Sequence, residues 1–176
     1  MSEPLAYVRG RMSTFGGPSD SGVAPDEGLA FIYEVDTHPH LFLPEQPPGT
    51  TGLARRLNPD VPYVAIRWDY AVTPKQMLAG DQLAMVRSGN RLMLAFPADW
   101  GPHGDTGRVA DLSPGLAAIL GLVTDAEVEV FYPAVSPERK KWVMERLAAI
   151  AEPEGDAEPD QAEGDAEATP RKKKRR

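Results

Sequence analysis

Residues 5–12, Leu5-Ala6-Tyr7-Val8-Arg9-Gly10-Arg11-Met12, set β-forming side chains in loose alternation with polar ones, which predicts a first strand. Short runs of similar character at 28–33, 63–68, 82–87, 91–96, 107–111 and 128–132 bring the expectation to about seven short strands. Ser88-Gly89-Asn90 joins the runs at 82–87 and 91–96 as a hairpin turn. Two short helices are punctuated at both ends: Thr73-Pro74 opens one that Gly80 closes, and Ser113-Pro114 opens one that Gly121 closes. Each has a hydroxyl cap, proline at the first helical position and glycine at the exit. Ser136-Pro137 starts a third, in which Trp142, Val143, Leu147 and Ile150 form one apolar stripe suited to packing on the body. Residues 34–61 show no sustained period and read as a long loop, with one helical turn at 53–57.

The segment from Ile66-Arg67-Trp68-Asp69 through Thr73-Pro74 to Gly80 echoes that from Arg108-Val109-Ala110-Asp111 through Ser113-Pro114 to Gly121. Each reads strand, aspartate, capped short helix, glycine, strand. Duplication of a strand–helix–strand unit explains this, and so does the recurrence of good helix punctuation; the pattern alone leaves both open.

Composition narrows the classes. At 176 residues, 41% of them hydrophobic, the chain can build one domain with a real core, and no apolar run approaches the length of a membrane span. The absence of cysteine excludes disulfides, iron–sulfur clusters, thiolate zinc sites and thiol catalysis. The net charge of −7 hides a split. Residues 151–176 hold eight acids and then six bases; removing them from the totals of 26 and 19 leaves 18 acids and 13 bases in residues 1–150. That mildly acidic body disfavours generic nucleic-acid binding. The expected organisation is a β-rich domain over 1–133, a packed helix over 134–150 and a disordered acidic-then-basic tail over 151–176. The closing Arg171-Lys172-Lys173-Lys174-Arg175-Arg176 suits an acidic protein face, a nucleic acid or an anionic lipid, or is simply solvated. The opening Met1-Ser2-Glu3-Pro4-Leu5 lacks the basic and apolar regions of a secretory signal. The default expectation is therefore cytoplasmic, unless the protein is exported by a non-standard route or is phage-associated.

The chemistry-bearing stretch is 94–121. An apolar strand ends in Asp99-Trp100-Gly101-Pro102, and Gly107-Arg108-Val109-Ala110-Asp111-Leu112-Ser113 leads into an alanine-rich helix ending Leu120-Gly121. These motifs, in this order, resemble the double-psi β-barrel domain of rare lipoprotein A and the expansins. Phe15-Gly16-Gly17-Pro18, with Asp20 and Gly22, is similar to the glycine-rich first loop of that group. The resemblance covers roughly residues 5–132. It implies a mainly β fold, a six-stranded double-psi β-barrel with short helices, and action on a wall polysaccharide. Rare lipoprotein A is a lytic transglycosylase of peptidoglycan, while expansins loosen walls.

Carried over by position, the two motif acids are Asp99 and Asp111. Cleaving a glycosidic bond needs a protonated carboxyl beside the leaving oxygen, and a transglycosylase uses the sugar's own hydroxyl as nucleophile. Asp99 is the expected proton donor and Asp111 its partner or a substrate ligand. Trp100, Trp68 and Tyr70 offer faces for sugar rings; His103 and Asp20 lie in the loops expected to border the cleft. Asp111 and Asp99 also suit plain helix-capping and turn roles. His38-Pro39-His40 has proline between its imidazoles and no nearby third ligand, so neither a metal nor a cofactor is expected.

Three departures from the family stand out. Val72-Thr73-Pro74-Lys75-Gln76 occupies the start of the first helix, where the active transglycosylases carry a histidine. Trp100 replaces the usual arginine, and the family's export signal is missing. The alternative function is thus a non-catalytic glycan-binding or assembly module.

Overall fold

Six strands form where the alternation predicts them, with one exception. The computed structural model describes residues 6–24, 27, 30–71, 74–79 and 83–132. Its strands are β1 (Tyr7–Thr14), β2 (Tyr63–Ile66), β3 (Ala84–Ser88), β4 (Arg91–Asp99), β5 (Ala110–Leu112) and β6 (Glu127–Phe131). Short helices occupy Leu53–Arg56 (α1), Lys75–Ala79 (α2) and Pro114–Leu120 (α3). Among the described residues no helix is long and apolar enough to cross a membrane. The helix expected over 134–150 and the tail over 151–176 lie outside the described residues, as do Thr73 and Gly80.

The strands close into a barrel in the order β1-β5-β2-β4-β3-β6. β1 runs parallel to β5 and β2 parallel to β4, while β1–β6, β2–β5, β3–β4 and β3–β6 are antiparallel. Exchanging β1 with β4, β2 with β5 and β3 with β6 maps every pairing onto another of the same sense. The two halves of the chain are therefore related by a pseudo-twofold axis, which is the mainly β, double-psi barrel architecture expected from sequence. The same exchange favours duplication as the origin of the strand–helix–strand echo. It does not equate the two aspartates of that echo. Asp111 lies within β5 and pairs with Ala65 of β2, whereas Asp69 sits in the exposed loop beyond β2, accepting from the Ala71 N–H at 2.8 Å.

The strand expected at 28–33 is the exception. Its described part, residues 30–33, runs as turns and bends. Phe31, Ile32 and Tyr33 are buried, but by packing: Tyr33 meets Phe96 edge-on at 5.9 Å and Phe31 meets Phe42 at 6.2 Å. A closed barrel has no free edge for a seventh strand, and a short apolar run looks the same in either setting.

Inside the barrel, Met12, Val64, Ile66, Val86, Ala95, Leu112, Val128 and Val130 are buried, with Glu127 and Glu129 of β6 turned outward in strict alternation. α3 is capped as its sequence predicts. Ser113 Oγ accepts from the Leu116 N–H at 3.1 Å, and Gly121 closes the helix in the left-handed region at φ 68°. Its Leu116, Ala117 and Leu120 face the core, and it packs on β4. The long loop adds Leu41, Phe42, Ala54 and Leu57 to the one hydrophobic core and holds the glycine-rich first loop in place. Arg55 donates to the carbonyls of Pro18 (3.4 Å) and Val23 (3.2 Å), and the Tyr63 hydroxyl donates to Phe15 O at 2.9 Å.

Candidate active site

A row of four residues crosses four neighbouring strands. Ser13 of β1 pairs with Asp111 of β5, Asp111 with Ala65 of β2, and Ala65 with Asp99 of β4. Two strand spacings, about 10 Å, separate the aspartate backbones, and the small Ala65 leaves the space between them open. All four line one cleft of about 490 Å³, a volume usual for small-ligand sites. A register shift makes this arrangement. Val64 pairs with Pro97 but Ala65 with Asp99, so Ala98 is skipped as a bulge. An extra residue in a strand reverses which side chain reaches a given face, and here it brings Asp99 into the cleft row.

Asp99 is 5% exposed. Its Oδ1 accepts from the Trp100 N–H at 2.7 Å. Burial pushes its pKa up to about 7; the Trp100 N–H and Lys75 oppose the rise, while Glu27 and Asp111 add to it. The Asp111 carboxyl is also raised, chiefly by burial, with the Ser13 hydroxyl and Arg108 working against this. Asp111 accepts a short hydrogen bond from Ser13 Oγ. The floor of the cleft thus carries one carboxyl raised into the neutral range and one anchored by a hydroxyl.

The other expected site residues divide into two groups. Trp100, His103 and Asp20 line the same cleft. The Trp100 indole N–H donates to Trp68 O at 3.1 Å, which fixes the ring as a wall. Asp20 closes the first loop by accepting from the N–H groups of Gly16 (2.7 Å) and Gly22 (2.9 Å). Gly16 needs to be glycine there: its φ is 87°, and a Cβ would run into the Tyr63 hydroxyl. His103 is exposed and lies 3.3 Å from Asp105. Trp68 and Tyr70 do not line the cleft. Trp68 is buried and its ring lies 4.9 Å from Tyr70. Tyr70 stands partly exposed, and its phenol is pushed up by burial and by the charge of Asp99.

Ser13, Glu27, Ala65 and Arg108 also line the cleft and escape the sequence reading. For Ser13 a signal existed, since a serine in a β-alternating run next to a glycine-rich loop is a natural partner for a motif acid. Ala65 carries no such signal. His38 and His40 pack their rings on Tyr33 (4.3 Å) and Phe96 (5.3 Å), and among the described residues no group of three acid, histidine or cysteine side chains could hold a metal ion.

No family model matches the chain, and no curated protein matches it. Among solved structures it is similar to the Streptomyces papain inhibitor, at 13% identity over 73% of this chain and 96% of that one, with a TM-score of 0.40.

Proposed function

We propose that the cleft binds a peptidoglycan-like wall polysaccharide and that Asp99 cleaves its glycosidic bond as a general acid, in the manner of rare lipoprotein A. The observation that carries this reading is Asp99 itself, a buried carboxyl with its pKa raised to about 7 on the floor of an open cleft. Asp99 passes its proton to the bridging oxygen as the bond to the anomeric carbon breaks. The sugar's own primary hydroxyl then closes on that carbon, and its proton returns to Asp99, so the enzyme is restored and no water is consumed. Asp111, held by Ser13, orients the sugar or faces the positive charge that develops on the ring. Trp100 supplies an apolar wall.

A second reading, a non-catalytic glycan-binding module, draws on the start of α2, where Pro74-Lys75-Gln76 stands in place of the family's histidine. Purified peptidoglycan separates the two. Release of anhydro-muropeptides by the wild type, falling as the pH rises through about 7 and lost by at least about a hundredfold in Asp99→Asn, is the result expected of general-acid catalysis. Sedimentation with the glycan and no release at any pH assigns the protein to the second reading.

A further inference from the structure

An apolar row crosses the outer surface of the barrel. Register places Leu94 of β4 opposite Met85 of β3, Met85 opposite Phe131 of β6, and Phe131 opposite Tyr7 of β1. Their strand neighbours Ala84, Val86, Ala95 and Val130 are buried in the core, so alternation turns these four outward. Tyr7 is 55% exposed, and Leu94, Met85 and Phe131 are only partly buried. Leu92, also exposed, prolongs the row along β4. Beside it runs a charged row, Arg87, Glu129 and Arg9, in which both arginines pair with Glu129. The apolar row thus has a polar border, which is the form of a docking surface.

The path of the chain indicates the occupant. β6 ends at Phe131, inside the row itself, and the sequence runs on from there. Residues 134–150 carry the apolar stripe Trp142, Val143, Leu147 and Ile150, and a helix with such a stripe needs a surface on which to bury it. The dimensions agree. Eight helical residues from Trp142 to Ile150 advance about 12 Å, and three strand spacings from β1 to β4 measure about 14 Å. The link of residues 133–136 reaches at most about 14 Å when extended, which keeps a helix opened by Ser136-Pro137 beside this face. A tether so short gives the segment an effective concentration in the millimolar range, an advantage that a second copy of the chain lacks.

We propose that residues 134–150 dock as a helix across this row, with Trp142, Val143, Leu147 and Ile150 against Leu94, Met85, Phe131 and Tyr7. The docking is independent of what the cleft binds. It makes the segment part of the domain and leaves only the residues beyond 150 as a tail.

Hydrogen exchange of the full chain, read by mass spectrometry over residues 137–150, tests this. Amides there should exchange at least about tenfold more slowly than in the same peptide alone. Phe131→Ser should abolish that protection, and Tyr7→Ser, at an exposed position, should lower it about threefold even if Phe131→Ser fails to fold. Val123→Ser, 76% exposed and outside the row, should leave it unchanged. Exchange at the free-peptide rate in the wild type overturns the proposal. So does protection that survives both Tyr7→Ser and Phe131→Ser, or that falls equally in Val123→Ser. Protection that grows with protein concentration, together with a dimer in sedimentation velocity, would assign the row to a second copy and overturn it too.

Discussion

Asp99→Asn is expected to stabilise the protein at pH 8, and to do so less and less as the pH falls toward 4. The Asp99 carboxyl has an ordinary value of 3.8 and is raised to about 7 in the folded chain. Below pH 4 both folded and unfolded forms carry the proton, and burial costs nothing through this group. Between about pH 4 and 7 the unfolded chain releases the proton while the folded chain keeps it. Stability is therefore lost as pH rises through this window, and the loss is complete above the folded value. Three units at about 1.4 kcal/mol each set an upper bound of roughly 4 kcal/mol, and water entering the cleft brings the expectation to about 2–4 kcal/mol. Asparagine is nearly isosteric, its amide oxygen can still accept from the Trp100 N–H, and it has no charge to bury. Urea melts of both proteins from pH 4 to 8 measure the effect. A stability difference that does not change with pH would show that Asp99 titrates like an ordinary surface carboxyl.

Gly115→Ala is expected to destabilise the protein by about 2 kcal/mol, against the direction that helix propensity alone predicts. Gly115 lies in the first turn of α3, where alanine would gain about 1 kcal/mol on propensity. A Cβ there would come within 2.8 Å of Pro59 O and 2.9 Å of both Asp60 Cα and Asp60 O, all backbone atoms that no rotamer change can move. The Gly115 N–H donates to Pro59 O at 2.8 Å, so relieving the clash also breaks this bond. Overpacking of about 1–3 kcal/mol together with a lost hydrogen bond of about 1 kcal/mol outweighs the propensity gain. Thermal unfolding beside Gly104→Ala, whose added methyl meets nothing within 4 Å, measures the difference. Equal stability of the two variants would mean that α3 does not dock on residues 59–60 as described.

Much of the barrel was legible because its signals are local. Ser113, Pro114 and Gly121 mark both ends of α3 through their own hydroxyl, ring and left-handed backbone, and no distant residue is needed to interpret them. The alternation of Val128 and Val130 with Glu127 and Glu129 fixes the inner face of β6. The run at 28–33 misled because apolarity records burial without recording how the backbone is paired; Phe31 and Tyr33 are buried by aromatic packing. In the site, Asp99 and Asp111 stood out through their motifs, but what brings them into one row did not. That depends on the bulge at Ala98 and on the shared neighbour Ala65, which are properties of register between strands far apart in the chain. Trp68 shows the same limit from the other side. Sequence presents it as an aromatic face for a sugar, but the fold buries it beneath Tyr70 and uses its carbonyl to hold Trp100.

The most direct measurement is the titration of the Asp99 side-chain carbon by carbon-13 NMR, with Asp99→Asn identifying the resonance. A midpoint near 7 is expected, with the signal responding to added wall glycan and the midpoint displaced when Asp111 is replaced by Asn. A midpoint near the ordinary 3.8, unmoved by glycan, would contradict a buried proton donor at this site.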